Sequence, residues 1–534
     1  MAPPRASAAP QRKPQKGLGC PKCGGAWVVK KGNSKGKQRF SCRSCGWHGT
    51  QPAGIEKRNC GIDRKSTATL HRAVRSAKGI QRYVITAAQN ATGVHAAFFA
   101  SLNGYCKSTG ATLLVIPYRY KNPTSMWSRG AQDDDWWAPE LVKHLLDRRT
   151  RLNANILLLA DIKTQPTATT PLQGFETISG SHSAIIGHPK LELATIPTPQ
   201  NKLPKILTTT GAVTVSNYLP SKAGKKGEHH HTLGACVVEL DGKIFHMRQI
   251  NAARDGSFID LDTEYSGADA QPAKLAGLVM GDSHIEFIDA GVARATFEGR
   301  DSLLHRLKPD YLVWHDVHDF YSRMHHHRGK VFTNFVKHHT GHDNVEKSLD
   351  ESFAFIDRVT PEWVRNVFPA SNHPDMFARW LEETDPRTDL ENCVFWAKSF
   401  VAMCDGSKWT DSGARTPDPF AYWAGRKMKT AKQATFLGHT DHFQIAGVEV
   451  GYHGHTGPNG SRGTIRGFGK IGVRSVIGHS HTPGIKDGVY QVGTSAALDM
   501  EFVRGPSSWL HTHCLVYKNG KRSLVNIIDG KWRA

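Results

Sequence analysis

The sequence has no apolar segment long enough to cross a membrane. Its clean apolar runs, such as residues 156–160, have the length of a β-strand, whereas a membrane helix needs about 20 residues. Residues 1–19 are rich in Pro, Ala, Lys and Arg without an apolar centre, so we expect no secretory signal there. These absences predict a protein without a membrane partner that works in the cytoplasm.

Cysteine is scarce, with 10 residues in a chain of 534, which excludes a fold held together by disulfides. Four cysteines have the spacing of a metal site. The other six are scattered, which fits a reducing compartment; they are Cys60, Cys106, Cys236, Cys393, Cys404 and Cys514.

Acidic residues are rare at the front of the chain. Residues 1–75 contain 17 Lys and Arg against only Glu56 and Asp63, which gives +15 of the total net charge of +22. A basic segment of this kind indicates a polyanionic partner, most simply DNA. The alternative is a tail that only increases solubility.

The first motif in the chain is a pair of Cys-x-x-Cys sequences, Cys20 with Cys23 and Cys42 with Cys45. Four thiolates at this spacing are typical of a zinc ribbon with one structural Zn²⁺. The intervening segment mixes Lys and Arg with aromatic residues, which suits a nucleic-acid surface, although a protein-binding module has the same pattern. We therefore predict a disordered basic arm over 1–18, a zinc ribbon over 19–50 and a linker over 51–78.

Residues 79–268 alternate strand-like and helix-like segments, which predicts an α/β domain. Apolar segments at residues 83–86, 112–116 and 156–160 are the predicted strands. Nothing in this stretch identifies a chemistry, so its role is left open.

Residues 269–534 contain five apolar segments, each followed by acidic, amide or imidazole side chains. In α/β sheets ligands gather outside the carboxyl ends of strands, and five such endings in one region predict a shared site. The residues that follow the five segments are Asp282 and His284, Asp316, Asn372 and His373, His453, and His479 and His481. Residues 320–440 are predicted to be a largely helical insertion over that site.

This ordered set of motifs resembles the calcineurin-like metallophosphoesterase superfamily. The resemblance implies a four-layer fold in which a β-sandwich of two mixed sheets is flanked by helices, with two metal ions at the strand ends. It implies that one ion is held by Asp282, His284, Asp316 and His481, and the other by Asp316, Asn372, His453 and His479. It further implies that Asp316 bridges the ions and that His373 protonates the leaving oxygen. Mixed nitrogen and oxygen ligands suit Mn, Fe, Zn or Mg, and the resemblance implies Mn among these.

Four other residues near these motifs are predicted to contact the substrate: His318, His455, Arg462 and Arg466. For the two histidines, the alternative is a supporting position behind the metal ligands. The two imidazoles are additional to the superfamily motifs, and the two arginines lie in a glycine-rich loop and suit a phosphate backbone. A solvated loop is the alternative for the arginines. The sequence also departs from the superfamily at His315 and Ser371, where glycine is usual, and at Pro374, which displaces the acid expected after His373.

Residues 87–92, 117–123 and 451–463 resemble the pre-early deoxyribonucleases of T-odd-type tailed phages, which are implicated in destroying host DNA. We therefore expect a multi-domain α/β, metal-dependent deoxyribonuclease acting in the host cytoplasm. The alternatives are a phosphatase or phosphodiesterase acting on nucleotides or phosphoproteins, and a non-catalytic DNA-binding scaffold. The sequence leaves open whether the chain forms a homo-oligomer.

Overall fold

The computed structural model describes residues 18–21, 28–34, 37–42, 47–50, 53–54, 61–120, 136–199, 202–405, 418–500 and 503–534. Within these ranges the chain is a mixed α/β protein with several β-sheets, which confirms the predicted fold class at that level. The predicted arm over 1–18 lies almost wholly outside the described residues.

The N-terminal part consists of short strands. They are β1 (Leu18–Gly19), β2 (Val28–Ser34), β3 (Lys37–Cys42), β4 (His48–Gly49) and β5 (Ala53–Gly54). Strands β2, β3 and β4 form one antiparallel sheet, and β1 pairs with β5. Strands β2 and β3 thus lie within the stretch predicted to be a zinc ribbon.

The predicted linker over 51–78 contains a helix, α1 (Arg64–Ser76), and the structure corrects the prediction for this part. The Asp63 side chain caps the helix by accepting hydrogen bonds from the amides of Lys65 and Ser66. Thr67 and Val74 are buried, and the Thr67 hydroxyl donates to the carbonyl of Leu145. The basic residues between these positions hide the helical period in the sequence.

The next part of the chain alternates strands and helices, as predicted. Its elements are β6 (Gln81–Gln89), α2 (Ala96–Thr109), β7 (Thr112–Tyr118), a 3₁₀ helix at Pro139–His144, β8 (Arg149–Arg151), β9 (Ile156–Leu159), α3 (Phe175–Ile178), β10 (Ser183–Ile186), β11 (Leu193–Ile196), β12 (Lys205–Thr209), α4 (Lys222–His230), β13 (Gly234–Asp241), β14 (Ile244–Asn251), β15 (Phe258–Asp260), β16 (Thr263–Ser266) and β17 (Asp269–Pro272).

The remaining part carries the predicted metal ligands. Its elements are β18 (Leu275–Val279), α5 (Ala290–Phe297), α6 (Leu303–Leu307), β19 (Tyr311–Val313), α7 (Val331–His339), α8 (Val345–Val359), β20 (Arg365–Phe368), α9 (Asp375–Glu383), α10 (Cys393–Cys404), α11 (Pro419–Lys427), β21 (Ala434–Phe436), β22 (Gln444–Ile445), β23 (Val448–Glu449), α12 (Ile465–Gly469), β24 (Ser475–Ile477), β25 (Gly484–Lys486), β26 (Val489–Gln491), β27 (Thr512–Tyr517) and β28 (Arg522–Asn526). Short 3₁₀ turns lie at Ile285–Phe287, Tyr321–Arg323, His325–His327, Pro386–Thr388, Lys429–Gln433 and Pro458–Gly460.

Two large sheets position the site. One has six strands in the order β21-β20-β19-β18-β27-β28, and the other has ten in the order β22-β23-β24-β26-β25-β11-β12-β10-β9-β8. The ten-stranded sheet crosses the predicted boundary at 268/269, because β11 pairs antiparallel with β25. A four-stranded sheet, β14-β13-β6-β7, belongs to the part before the boundary.

The six-stranded sheet is buried on both faces. Alternate residues point to opposite faces of a strand, so Val279 and Val313 join the core shared with the ten-stranded sheet. Leu278 and Leu312 join a separate core on the opposite face, which the helices cover. The two sheets and the helices thus form a layered sandwich.

The predicted helical insertion contains α7 to α11. Helix α8 begins at the Asn344 cap and buries Leu349, Phe353 and Ile356, which recur at helical spacing on one face. Helix α11 has Asp418 as its cap and Pro419 at its first position. No helix in the described ranges is both long and apolar enough to cross a membrane.

Candidate metal centre

The predicted ligands follow strands that end at the same edge of the sandwich. Strands β18, β19 and β20 are parallel neighbours, so their carboxyl ends meet. Strands β23 and β24 of the other sheet are also parallel to each other. The segments after these five strands come together in three dimensions, although they are spread over about two hundred residues of sequence.

The first ligand group comprises Asp282, His284, Asp316 and His481. One ligand atom from each lies within 4.8 Å of all the others, and all four side chains are buried. The two ring nitrogens His284 Nε2 and His481 Nε2 are 3.0 Å apart. His481 Nε2 lies 3.1 Å from Asp282 Oδ2.

The second ligand group comprises Asp316, His453 and His479, again within 4.8 Å of one another. His453 Nε2 lies 3.0 Å from Asp316 Oδ2. The amide oxygen of Asn372 completes this group, at 3.1 Å from His453 Nε2 and 3.0 Å from His479 Nδ1. Asp316 is the one residue that these two groups share.

Several ligand residues have a left-handed backbone, which side chains other than glycine rarely adopt. The φ angles are 38° for His284, 38° for Asp316, 72° for His479 and 57° for His481. Such conformations persist only where the surrounding structure fixes them, and they concentrate at functional sites. The turns that follow the strands are therefore shaped to aim these side chains inward.

Gly281 and His513 hold the first of these turns. A Cβ atom at Gly281 would meet the backbone of Thr494 at 2.8 Å, so only glycine fits. The Gly281 amide donates to His513 Nδ1 at 2.9 Å. His513 Nε2 lies 2.9 Å from the Thr296 hydroxyl.

The charges of the cluster suit divalent cations. Burial alone would raise the pKa of Asp282, but His453 and His481 hold it below its ordinary value. Burial also opposes ionisation of Asp316, yet His453 and His373 hold its pKa well below the usual range. Asp282 Oδ1 is buried and accepts no hydrogen bond within the described part of the chain, whereas Oδ2 lies beside His481 Nε2. Two ionised carboxylates, an amide oxygen and imidazoles are a donor set that fits Mn, Fe, Zn or Mg.

Asp319 is a site residue that the sequence analysis missed. Its buried Oδ1 lies 2.9 Å from His284 Nδ1 and 2.8 Å from His373 Nδ1. One carboxylate therefore contacts both a predicted metal ligand and the predicted acid. Burial would lower the pKa of His373, but Asp316 and Asp319 raise it to about 10. The only signal in the sequence was a second acid three residues after Asp316.

His318 is buried beneath the candidate metal centre, which favours the supporting position over contact with a substrate. Its side chain has no exposed surface. Its Nδ1 lies 2.9 Å from the Ser352 hydroxyl, and its ring stacks on Phe420. Burial lowers its pKa to about 3. Its place under the site makes it a supporting residue.

Of the other predicted substrate contacts, His455 lies beside the second ligand group. The His455 ring lies 5.5 Å from His453 and 6.1 Å from His479, measured between centroids. Arg462 and Arg466 are exposed, the second on α12, so their contact with DNA stays a prediction.

Two of the four predicted zinc ligands are described. Cys20 and Cys42 are 1% and 2% exposed and share a small core with Val28. Cys23 and Cys45 lie outside the described residues, so the zinc site stays a prediction.

The fold and the site together define a mixed α/β protein whose paired acid and imidazole groups can hold metal ions. The chain is 33% identical to Protein A1 of Escherichia phage T5 over 467 residues, which cover 85% of this chain and 83% of that protein. It therefore belongs to the family of phage T5 Protein A1, in agreement with the predicted relation to phage proteins. No family model matches the chain, and no solved structure matches it.

Proposed function

We propose that this protein is a metal-dependent deoxyribonuclease that hydrolyses DNA phosphodiester bonds with two divalent cations, Mn being the expected metal. The observation that carries the proposal is the position of Asp316 in both ligand groups. A shared carboxylate is what a pair of cations a few ångströms apart requires, because it binds both and offsets their repulsion. Asp282, His284 and His481 would complete one cation's ligands, and Asn372, His453 and His479 the other's.

The chain's own residues would position the phosphate and manage the leaving oxygen. When bound, the two cations would supply Lewis acidity and neutralise charge on the phosphate. His373 would donate a proton to the leaving oxygen. Its Nδ1 is held by Asp319, and 15% of its side chain is exposed, so the ring is fixed yet accessible. With its pKa raised, His373 carries that proton at neutral pH.

Charge and shape favour DNA over small phosphate esters. The front of the chain carries most of the net positive charge, and Lys31 and Arg39 are exposed on its strands. Asn372 borders a cavity of about 1020 Å³, and this volume is larger than a single phosphate group needs. The zinc ribbon would hold DNA while the metal centre cuts it, and the phage relationship suggests host DNA as the target.

The test compares Asp316→Asn with wild type on linear and circular duplex DNA, with and without Mn²⁺. We expect cleavage by wild type only with metal, and a loss of at least about 1,000-fold in the variant, since one substitution weakens both cation sites. Asp301→Asn is the matched control, because the Asp301 side chain is 87% exposed and belongs to no ligand group.

Three results would contradict the proposal. Wild-type cleavage by Asp316→Asn would show that the paired ligands are not the catalytic centre. Hydrolysis of mononucleotides without cleavage of DNA would favour a phosphatase. A protein that binds metal but hydrolyses neither mononucleotides nor DNA would favour a non-catalytic scaffold.

A further inference from the structure

A further cluster of metal-binding side chains lies beside the proposed centre. Asp375, His439 and His455 each offer a ligand atom within 4.8 Å of the other two, and none of them belongs to the two ligand groups described above. Asp375 begins α9, His439 follows β21, and His455 lies in the loop after β23. Three separate segments thus converge on one point.

The contacts within this cluster are incomplete without a further partner. His439 Nε2 lies 3.1 Å from both carboxylate oxygens of Asp375. His455 Nδ1 is buried but has no hydrogen-bond partner in the described ranges. A buried imidazole nitrogen that lacks a partner is unusual, and here it sits next to a carboxylate and a second imidazole.

The cluster faces the same space as the proposed centre. Asp375 and His439 line the cavity of about 1020 Å³ that also borders Asn372. The side chains of Asp375 and His439 are each 47% exposed. The ring centroids of His439 and His455 are 5.4 Å apart. The ring of His455 also lies beside that of His453, a member of the second ligand group, so the cluster adjoins that group.

We propose that Asp375, His439 and His455 bind a third divalent cation. Two imidazoles and one carboxylate form a three-ligand set that leaves coordination positions open. Those positions face the cavity, where they would accept oxygens of a nucleic-acid phosphate next to the one being cut. The phosphate contact rests on the proposed nuclease function, whereas the metal site does not.

The test counts metal ions on the full-length protein after removal of divalent metals with a chelator. Mn²⁺ is added back, and the bound equivalents are measured by native mass spectrometry and by electron paramagnetic resonance, with zinc counted separately. We expect three Mn²⁺ per chain in wild type and two in His439→Ala and in Asp375→Asn. His442→Ala is the matched control, since His442 is exposed three residues away and outside the cluster, and it should keep three.

A substitution in the two main ligand groups provides a complementary count of bound Mn²⁺. Asp316→Asn removes the residue shared by the two main groups and should leave the third site filled. Two equivalents in wild type, or an unchanged count in both His439→Ala and Asp375→Asn, would overturn the third site and show that Asp375 and His439 form only an ion pair.

The same samples separate this inference from the proposed function. Three Mn²⁺ with the expected losses but no DNA cleavage would support the third site and contradict the nuclease. DNA cleavage with two Mn²⁺ would support the nuclease and overturn the third site.

Discussion

Asp319→Asn is the perturbation that tests the arrangement of this site most directly. The substitution keeps the shape of the side chain and removes its charge. In the protein that charge is fully buried and lies 2.9 Å from His284 Nδ1 and 2.8 Å from His373 Nδ1. The variant therefore weakens the support of a metal ligand and of the proposed acid at once.

The expected loss follows from these two contacts. Replacing the partner of a metal-ligating imidazole typically reduces metal affinity or activity by about 10- to 100-fold. Removal of the Asp319 charge also lowers the pKa of His373. We expect turnover on DNA to fall by about 100-fold, equivalent to about 2.7 kcal/mol of barrier. The rate should also decline with rising pH at a lower pH than in wild type, because a general acid is lost as it deprotonates.

The assay compares two substrates at saturating Mn²⁺. Duplex DNA has a poor leaving group, whereas bis(p-nitrophenyl) phosphate has a good one that needs little protonation. If Asp319 acts through His373, the loss on DNA exceeds the loss on the ester by at least about tenfold. Equal losses on both would refute that role and assign Asp319 to His284 and the metal alone. A variant with wild-type turnover on DNA would refute both roles.

Two further predictions concern the stability of the folded protein. Gly281→Ala should lower the free energy of unfolding by about 1–3 kcal/mol in chemical unfolding, because the added Cβ would press on the backbone of Thr494. The control is Gly425→Ala in α11, which has open space around it and should be neutral or slightly stabilising. Equal effects of the two substitutions would contradict the reasoning. Burial lowers the pKa of His188 to about 4 and that of His513 to about 3, so between pH 6.5 and 4 both imidazoles bind protons mainly in the unfolded chain. The free energy of unfolding should therefore fall as the pH drops from about 6.5 toward 4. At pH 4 each of these two imidazoles lowers the free energy of unfolding by about 3 kcal/mol. His188→Gln should therefore make the free energy of unfolding, measured with urea at several pH values, less dependent on pH. The control His442→Gln, at an exposed position, should leave that dependence unchanged.

The placement of the ligands was predictable because the signal is local. An apolar strand followed at once by an acid, an amide or an imidazole can be recognised without knowing what lies opposite, and five repeats of that pattern indicated one shared edge. The orientation of side chains beyond the strand ends was not predictable in this way. His318 and Asp319 are adjacent in sequence, yet one is buried beneath the site and the other holds two of its imidazoles.

The contact between Asp319 and His373 also shows why the sequence alone could not predict the role of Asp319. His373 approaches it from a strand end 54 residues away, and the distance between their side chains depends on how β19 and β20 pair. The helix α1 was missed for a different reason, since its few buried positions are small or polar and its exposed ones are basic. Tertiary packing decides both outcomes.

The pairing of β11 with β25 makes the two halves of the chain inseparable. Lys486 reaches Glu192 at 2.6 Å and Asp487 reaches Lys190 at 2.7 Å, so ion pairs reinforce the join between strands almost three hundred residues apart. A cut at residue 268 would leave two unprotected sheet edges, the kind of surface through which proteins aggregate. The half that carries the predicted ligands therefore depends on the region without recognised chemistry to complete its sheet.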